Sequence, residues 1–173
     1  FINYLAANGV KAAVPLPSKN GRIVEEISFE GLPIYLVCFK KGVGMRVPDN
    51  GYRYREGVPL EEYYQNWGNI LGQMHRLSQV YQPPSPDVAR PDWFEIHADK
   101  LNIDDLIPEE FPIVRKRIHD LLNEINGMAK AKDSYGLIHG DFNDGNFTVD
   151  YDNGDITGFD LDDCCYFLYA YQL

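Results

Sequence analysis

Two short segments hold the residues best equipped for chemistry: IHGDFNDGNF over residues 138–147 and GFDLDD over residues 158–163. They offer Asp141, Asn146 and Asp160, two carboxylates and one amide, with Asp162 close behind. Oxygen donors of this kind suit Mg²⁺, which prefers carboxylate, amide and phosphate oxygens to nitrogen or sulfur. A metal so held offsets phosphate charge while a further carboxylate orients an attacking hydroxyl, which is the chemistry of phosphoryl transfer. Asp and Asn beside Gly are also common turn formers, so the set acts together only if the fold gathers it.

A hairpin is predicted to do the gathering. The stretches NFTVDY and DITGFDL read as strands flanking the turn Asp152-Asn153-Gly154. Fourteen residues separate Asn146 from Asp160, about what two short strands and a turn consume. Alternation along the second strand places Asp162 on the face of Asp160, as a second metal ligand or as a surface or capping carboxylate. Asp163 points the other way and reads as structural. Asp144, within the loop, reads as a turn former or a substrate contact.

Upstream elements must support that hairpin. FINYLAANGV reads as the last turns of a helix, with Leu5 inward and Gly9 as its stop. Residues 10–39 read as an antiparallel meander, with a type I′ hairpin at Asn20-Gly21, a second turn at Glu30-Gly31, and a buried strand in LPIYLVCF. Residues 40–60 form a connector rich in Gly, Pro, charge and Tyr. Over residues 61–81 the apolar positions Tyr63, Trp67, Ile70, Leu71, Met74 and Leu77 predict an amphipathic helix. Prolines in QPPSPDVARPDWFE bar its continuation. A second helix is predicted over residues 109–131, with Ile113, Ile118, Leu121, Leu122, Ile125 and Met128 inward. His75 falls on an apolar helix face and reads as a core histidine. Cys164 and Cys165 adjoin aromatic residues and read as packing, while the tyrosines and Trp93 fit a core or a cleft wall. Residues 83–99 receive no assigned role.

HGDFNDGN resembles the catalytic loop of the aminoglycoside phosphotransferase and choline kinase-like family, HGDxxxxN, and GFDLDD is similar to that family's metal-binding aspartate segment. LGQMHRLS, residues 71–78, resembles the helix leading into the large lobe, and YLVCFKKG resembles the strand bordering adenine. The resemblance implies an α+β, protein kinase-like bilobal fold, present in part. Residues 1–40 would be the end of the small nucleotide-binding lobe, 41–60 a connector, and 61–173 a large catalytic lobe incomplete at its end. It also implies ATP and Mg²⁺, with Asp141 as catalytic base, Asn146 and Asp160 holding the metal, and backbone near Phe39 and Lys41 bonding adenine, Cys38 just behind. His139 would be a scaffold bonding backbone. The implied substrate is a small molecule with a hydroxyl group.

The chain departs from the family in several places. No glycine-rich loop or ATP-binding lysine precedes the first helix, and the glycines of Lys41-Gly42-Val43-Gly44 follow the hinge strand and do not replace that loop. Near Gln172 the family carries an aspartate that steadies the catalytic loop. The chain opens at Phe1 and ends in an apolar run, so both ends read as cut. Poor ATP binding and slow turnover are expected of these residues alone.

With 26 acidic and 16 basic residues the net charge is -10, which argues against nucleic acid as a partner. Composition is that of a folded domain, 45% apolar and 24% charged. No run approaches the roughly 18 apolar residues of a membrane span. Three cysteines without a CxxC pair read as reduced thiols, and a cytoplasmic location is the expectation. Two other readings stand beside the kinase: a non-catalytic, pseudokinase-like binding module, favoured by the missing loop and lysine, and a metal-dependent phosphoesterase, disfavoured by the scarcity of histidines.

Overall fold

The periodic apolar stripe of residues 61–81 forms helix α2, Leu60–Ser78. The helix ends three residues before the predicted boundary. Its inward face, Tyr63, Ile70, Leu71, Met74 and Leu77, is buried as the spacing requires. The computed structural model describes residues 1–97 and 102–173. Ahead of α2 lie helix α1, Ile2–Ala7, and four short strands: β1, Pro15–Leu16; β2, Glu25–Phe29; β3, Leu32–Leu36; and β4, Cys38–Phe39. Behind it come the short helices α3, Trp93–His97, and α4, Ile103–Leu106, then α5, Pro112–Asn126. Four strands close the chain: β5, Tyr135–Ile138; β6, Phe147–Val149; β7, Ile156–Gly158; and β8, Cys165–Leu168.

The predicted hairpin is β6 and β7, antiparallel with Phe147 opposite Gly158 and Val149 opposite Ile156. Its loop closes through Gly154 N–H to Asp150 O at 2.7 Å, with Gly154 at φ 85. Two further segments extend it. Ala13 N–H donates to Gly158 O at 2.9 Å on one side, and Val149 N–H donates to Met45 O at 2.9 Å on the other. The main core forms beneath this sheet from Leu5 and Val10 around α1, the inner face of α2, and Phe147, Val149 and Ile156. Phe147 is 0% exposed, a burial that contributes about 1.5–3 kcal/mol relative to an exposed ring. A second, smaller cluster of Ile138, Cys165, Phe167 and Tyr169 joins β5 and β8 to Trp93 and Phe94 of α3. Both Cys164 and Cys165 are buried.

Several expectations change. A type I′ turn needs two positive φ angles, and at Asn20-Gly21 only Gly21 has one. That turn is instead closed by Ser18, whose N–H donates to Arg22 O at 2.8 Å, and β1 pairs with β4. The two-residue hairpin with both positive angles is Glu30-Gly31, φ 51 and 82, linking β2 to β3. The LPIYLVCF strand, expected to be buried, is exposed: Leu32, Tyr35 and Leu36 have no layer against them among the described residues. Strand propensity made the ladder, but burial needs an opposing surface. The second long helix is shorter than the predicted 109–131. Ile118, Leu122 and Ile125 are half-buried on it, while Ile113 and Leu121, with Met128 beyond its end, are exposed. Helices α3 and α4 were not expected. Asp92 caps α3, accepting from Phe94 N–H at 2.9 Å, while Glu95 accepts from Asp92 N–H at 2.8 Å.

Candidate active site

Strand β5 runs into the loop over residues 139–146 and β6 leaves it, so the loop is held at both ends by buried strands. Gly140 has φ 92, and a Cβ there would lie 2.3 Å from Asp163 O. Only glycine lets the loop approach the acidic segment so closely. Within the loop, Asn146 Nδ2 donates to Asp141 O at 2.7 Å and to Asp141 Oδ2 at 3.0 Å. Asn143 Nδ2 donates to Asp141 Oδ1 at 2.7 Å. Phe159 N–H donates to Asn146 O at 3.0 Å, which fastens the residue before Asp160 to the loop. The hairpin thus unites Asp141, Asn146 and Asp160 at its open end.

Asp160 adopts φ 66, a left-handed conformation that Asp tolerates better than most residues and that redirects the chain out of β7. The strand ends at Gly158, so strand alternation does not carry Asp162. A turn at residues 162–163 does so instead. Partial desolvation, the adjoining Asp162 carboxyl and the charges of Asp163 and Asp141 hold the Asp160 carboxyl above its ordinary range. None of these four carboxylates has an ion-pair partner among the described residues. The donor set fits a hard cation: the nitrogen of Asn146 is committed to Asp141, and its Oδ1 has no hydrogen bond among the described residues. No group of three or more His, Cys, Asp or Glu side chains forms a complete metal cluster among the described residues. Phosphate oxygens and water would finish the coordination, as Mg²⁺ prefers.

A cleft of about 560 Å³ opens beside this end of the hairpin, lined by Phe39, Lys41, Gly42, Met45, Thr148 and Asp160. Two of the three residues assigned to adenine, Phe39 and Lys41, therefore share a cleft with an assigned metal ligand. Cys38 does not line it and is exposed on β4. The glycines of residues 42–44 belong to this wall. A Cβ on Gly44 would lie 1.8 Å from Val149 O, so the segment lies directly on β6.

The supporting shell is partly as expected. His139 is 1% exposed, and its Nε2 bonds Phe159 O at 2.9 Å, a backbone scaffold. That carbonyl requires a protonated Nε2, and burial holds the ring below the usual imidazole range. His75 stacks on Tyr169 with ring centroids 4.5 Å apart. Gln172 Oε1 accepts from His139 N–H at 3.3 Å and pairs with His75 Nε2 at 3.0 Å, so the glutamine braces the loop. Residues 83–97 have a structural role: Arg90 donates to Cys164 O at 2.6 Å and to Asp162 O, while Trp93 stacks on Phe167. Residues 98 and 99 of the unassigned stretch lie outside the described residues. Sequence reasoning missed Asn143 and Arg90. For Asn143 a signal existed, since Asn two residues after Asp in a glycine loop commonly turns back onto its neighbours.

A profile of the Phosphotransferase enzyme family matches residues 1–173. The chain belongs to that family. It is 32% identical over 167 residues to the amicoumacin kinase of Bacillus subtilis (strain 168), covering 96% of this chain and 46% of that protein. It is 27% identical over 100 residues to a homoserine kinase of Agrobacterium fabrum, covering 58% of this chain and 27% of the relative. Among solved structures, amicoumacin kinase hAmiN in complex with AMP-PNP, Ca²⁺ and Ami superposes with a TM-score of 0.80 at 30% identity, covering 98% of this chain and 48% of that one. The microcompartment-associated aminopropanol kinase gives 0.74 at 27% identity, covering 98% and 53%. These likenesses establish the kinase-type fold for this family member, which spans about half the length of the amicoumacin and aminopropanol kinases it matches. Among the described residues no helix is long and apolar enough to cross a membrane.

Proposed function

We propose that the protein is an ATP- and Mg²⁺-dependent phosphotransferase that moves the γ-phosphate to a hydroxyl of a small molecule. The observation that carries the reading is the bond from Asn146 to Asp141 Oδ2 at 3.0 Å, with Asp160 fastened next to it through Phe159 and Asn146. Asp141 accepts the proton of the acceptor hydroxyl. As that oxygen forms its bond to the γ-phosphorus, the bond to the β,γ-bridging oxygen breaks and ADP departs. Asn146 and Asp160 would hold a divalent metal through oxygen, and Asp162 could join them. A bound divalent cation neutralises charge on the phosphates. Phe39 and Lys41 border the nucleotide in the shared cleft. The solved amicoumacin kinase with AMP-PNP and Ca²⁺ supports an adenine nucleotide and a divalent ion here. Amicoumacin, aminopropanol and homoserine in the relatives' names support a small acceptor.

The reading retains the division into small-lobe residues 1–40, connector 41–60 and large-lobe residues 61–173. It also retains a cytoplasmic setting and weak activity of these residues by themselves. Calorimetric titration with MgATP, beside an Asp160→Ala variant, tests it. Mg²⁺-dependent heat lost in the variant supports the site, and equal heat from both proteins overturns the metal assignment. Phosphate transfer from ATP to aminopropanol or amicoumacin then tests the reaction.

A further inference from the structure

We infer that Asn143 is a positioning residue for Asp141, fixing the plane of the base carboxylate through its side-chain amide. The inference rests on the functional reading above. Both carboxylate oxygens of Asp141 receive an amide donor. Asn143 Nδ2 reaches Oδ1 at 2.7 Å and Asn146 Nδ2 reaches Oδ2 at 3.0 Å. A carboxylate on an exposed loop otherwise turns freely about its terminal torsion, which is broad and roughly two-fold. Two donors at opposite ends stop that rotation. They also make the two amides unequal in duty. Asn146 is shared with the proposed metal, whereas Asn143 serves only the loop and the base.

Asn143 is itself anchored. Its Oδ1 accepts from Gly145 N–H at 2.7 Å, and its backbone carbonyl accepts from Asn146 N–H at 3.0 Å. Its backbone N–H donates to Asp141 O at 3.1 Å. The side chain therefore bridges two functions, with its oxygen shaping the turn and its nitrogen aiming the carboxylate. A residue that only built the turn would need the oxygen alone. A side chain of similar size that keeps the oxygen and lacks the nitrogen separates the two.

Asn143→Asp is that variant. It retains an acceptor for Gly145 N–H and loses the donor to Asp141. Asn143→Ala, which removes the donor without adding a carboxylate beside Asp141, is measured with it and should lose kcat as well. With amicoumacin and aminopropanol as acceptor probes, kcat is expected to fall about ten- to hundredfold, the range for a misaimed reacting group. KM for ATP should stay within about twofold, since the Asn143 side chain touches no proposed nucleotide or metal contact and its bond to Asn146 is made by backbone that the substitution keeps. Asn143→Ser, whose hydroxyl both accepts and donates, should recover part of kcat. Wild-type kcat in Asn143→Asp, alongside an inactive Asp141→Ala, overturns the inference and leaves the functional reading standing. A wild-type protein that neither binds MgATP in the calorimeter nor transfers phosphate to either probe overturns the functional reading, and the positioning role falls with it. The contact is also tested without turnover. The side-chain amide resonances of Asn143 should move in Asp141→Ala while the Gly145 amide resonance stays in place. An unmoved Asn143 amide overturns the inference whatever the kinetics show.

Discussion

The hairpin β6–β7 and the hairpin β2–β3 are built by the same local rules and end in opposite conditions. Each joins two short antiparallel strands through a turn that ends in a glycine with positive φ, Gly154 in one and Gly31 in the other. In the first, Phe147 and Val149 are 0% exposed, and neighbouring segments extend the ladder on both sides. In the second, Phe29 is 59% and Leu32 68% exposed. Local pairing makes a hairpin in either place. Only burial against α1 and α2 turns the first into a rigid mount that holds Asp141, Asn146 and Asp160 together. Precision at a site comes from the layer behind it.

The sharpest way to use this contrast is to remove chemistry from the rigid hairpin's open end. Asp141→Ala should lower phosphate transfer about 10²–10⁴-fold, the usual worth of a positioned base, without unfolding the protein by circular dichroism. Phe147→Ala, beneath the same hairpin, should cost about 3–5 kcal/mol in urea unfolding. Gly44→Ala should cost about 3 kcal/mol, because the new Cβ meets backbone and the φ of 80 is strained for alanine.

A smaller effect should appear with pH. Burial lowers the His75 imidazole pKa in the folded chain, against a weaker opposing contribution from Gln172. The unfolded chain therefore takes up this proton first. The stability tied to the group is complete above the ordinary value of about 6.5 and is lost as pH falls below it. His75→Asn should flatten the loss of stability between about pH 7 and pH 5, followed by urea unfolding. Smallest of all, Phe29→Ala on the exposed hairpin should change stability by less than about 0.5 kcal/mol. A cost like that of Phe147→Ala would erase the comparison and show that β2–β3 is covered in solution.

Much of the site was legible because its residues lie in two short segments separated by one hairpin. A turn-forming Asp152-Asn153-Gly154 and two runs of strand formers were enough to return Asp160 to Asn146, although only Gly154 takes the positive φ that a type I′ turn needs at two positions. Helix α2 was legible for a similar reason, since a long stripe of period 3.6 has few other uses. Less was legible where a residue's meaning depends on a distant partner. Gln172 stood out only as a departure from the family pattern, yet its side chain joins His75 to His139 across 97 and 33 residues of chain. Arg90, 72 and 74 residues before its partners, carried no local signal at all. The Asn20-Gly21 turn misled because the dipeptide reports willingness to turn, whereas Ser18 and the pairing of β1 with β4 decided which turn formed.

By itself the sequence determined which oxygen-bearing side chains the candidate site holds, the hairpin that gathers them, and the apolar faces of α1 and α2 that support it. These are local or periodic properties, written in residue type and spacing. Tertiary structure alone decided which strands are buried, how the Asp141 carboxylate is held, and which side chains brace the loop from behind. Those outcomes depend on surfaces meeting across long stretches of chain. Burial is a property of the pair of surfaces and not of either sequence segment.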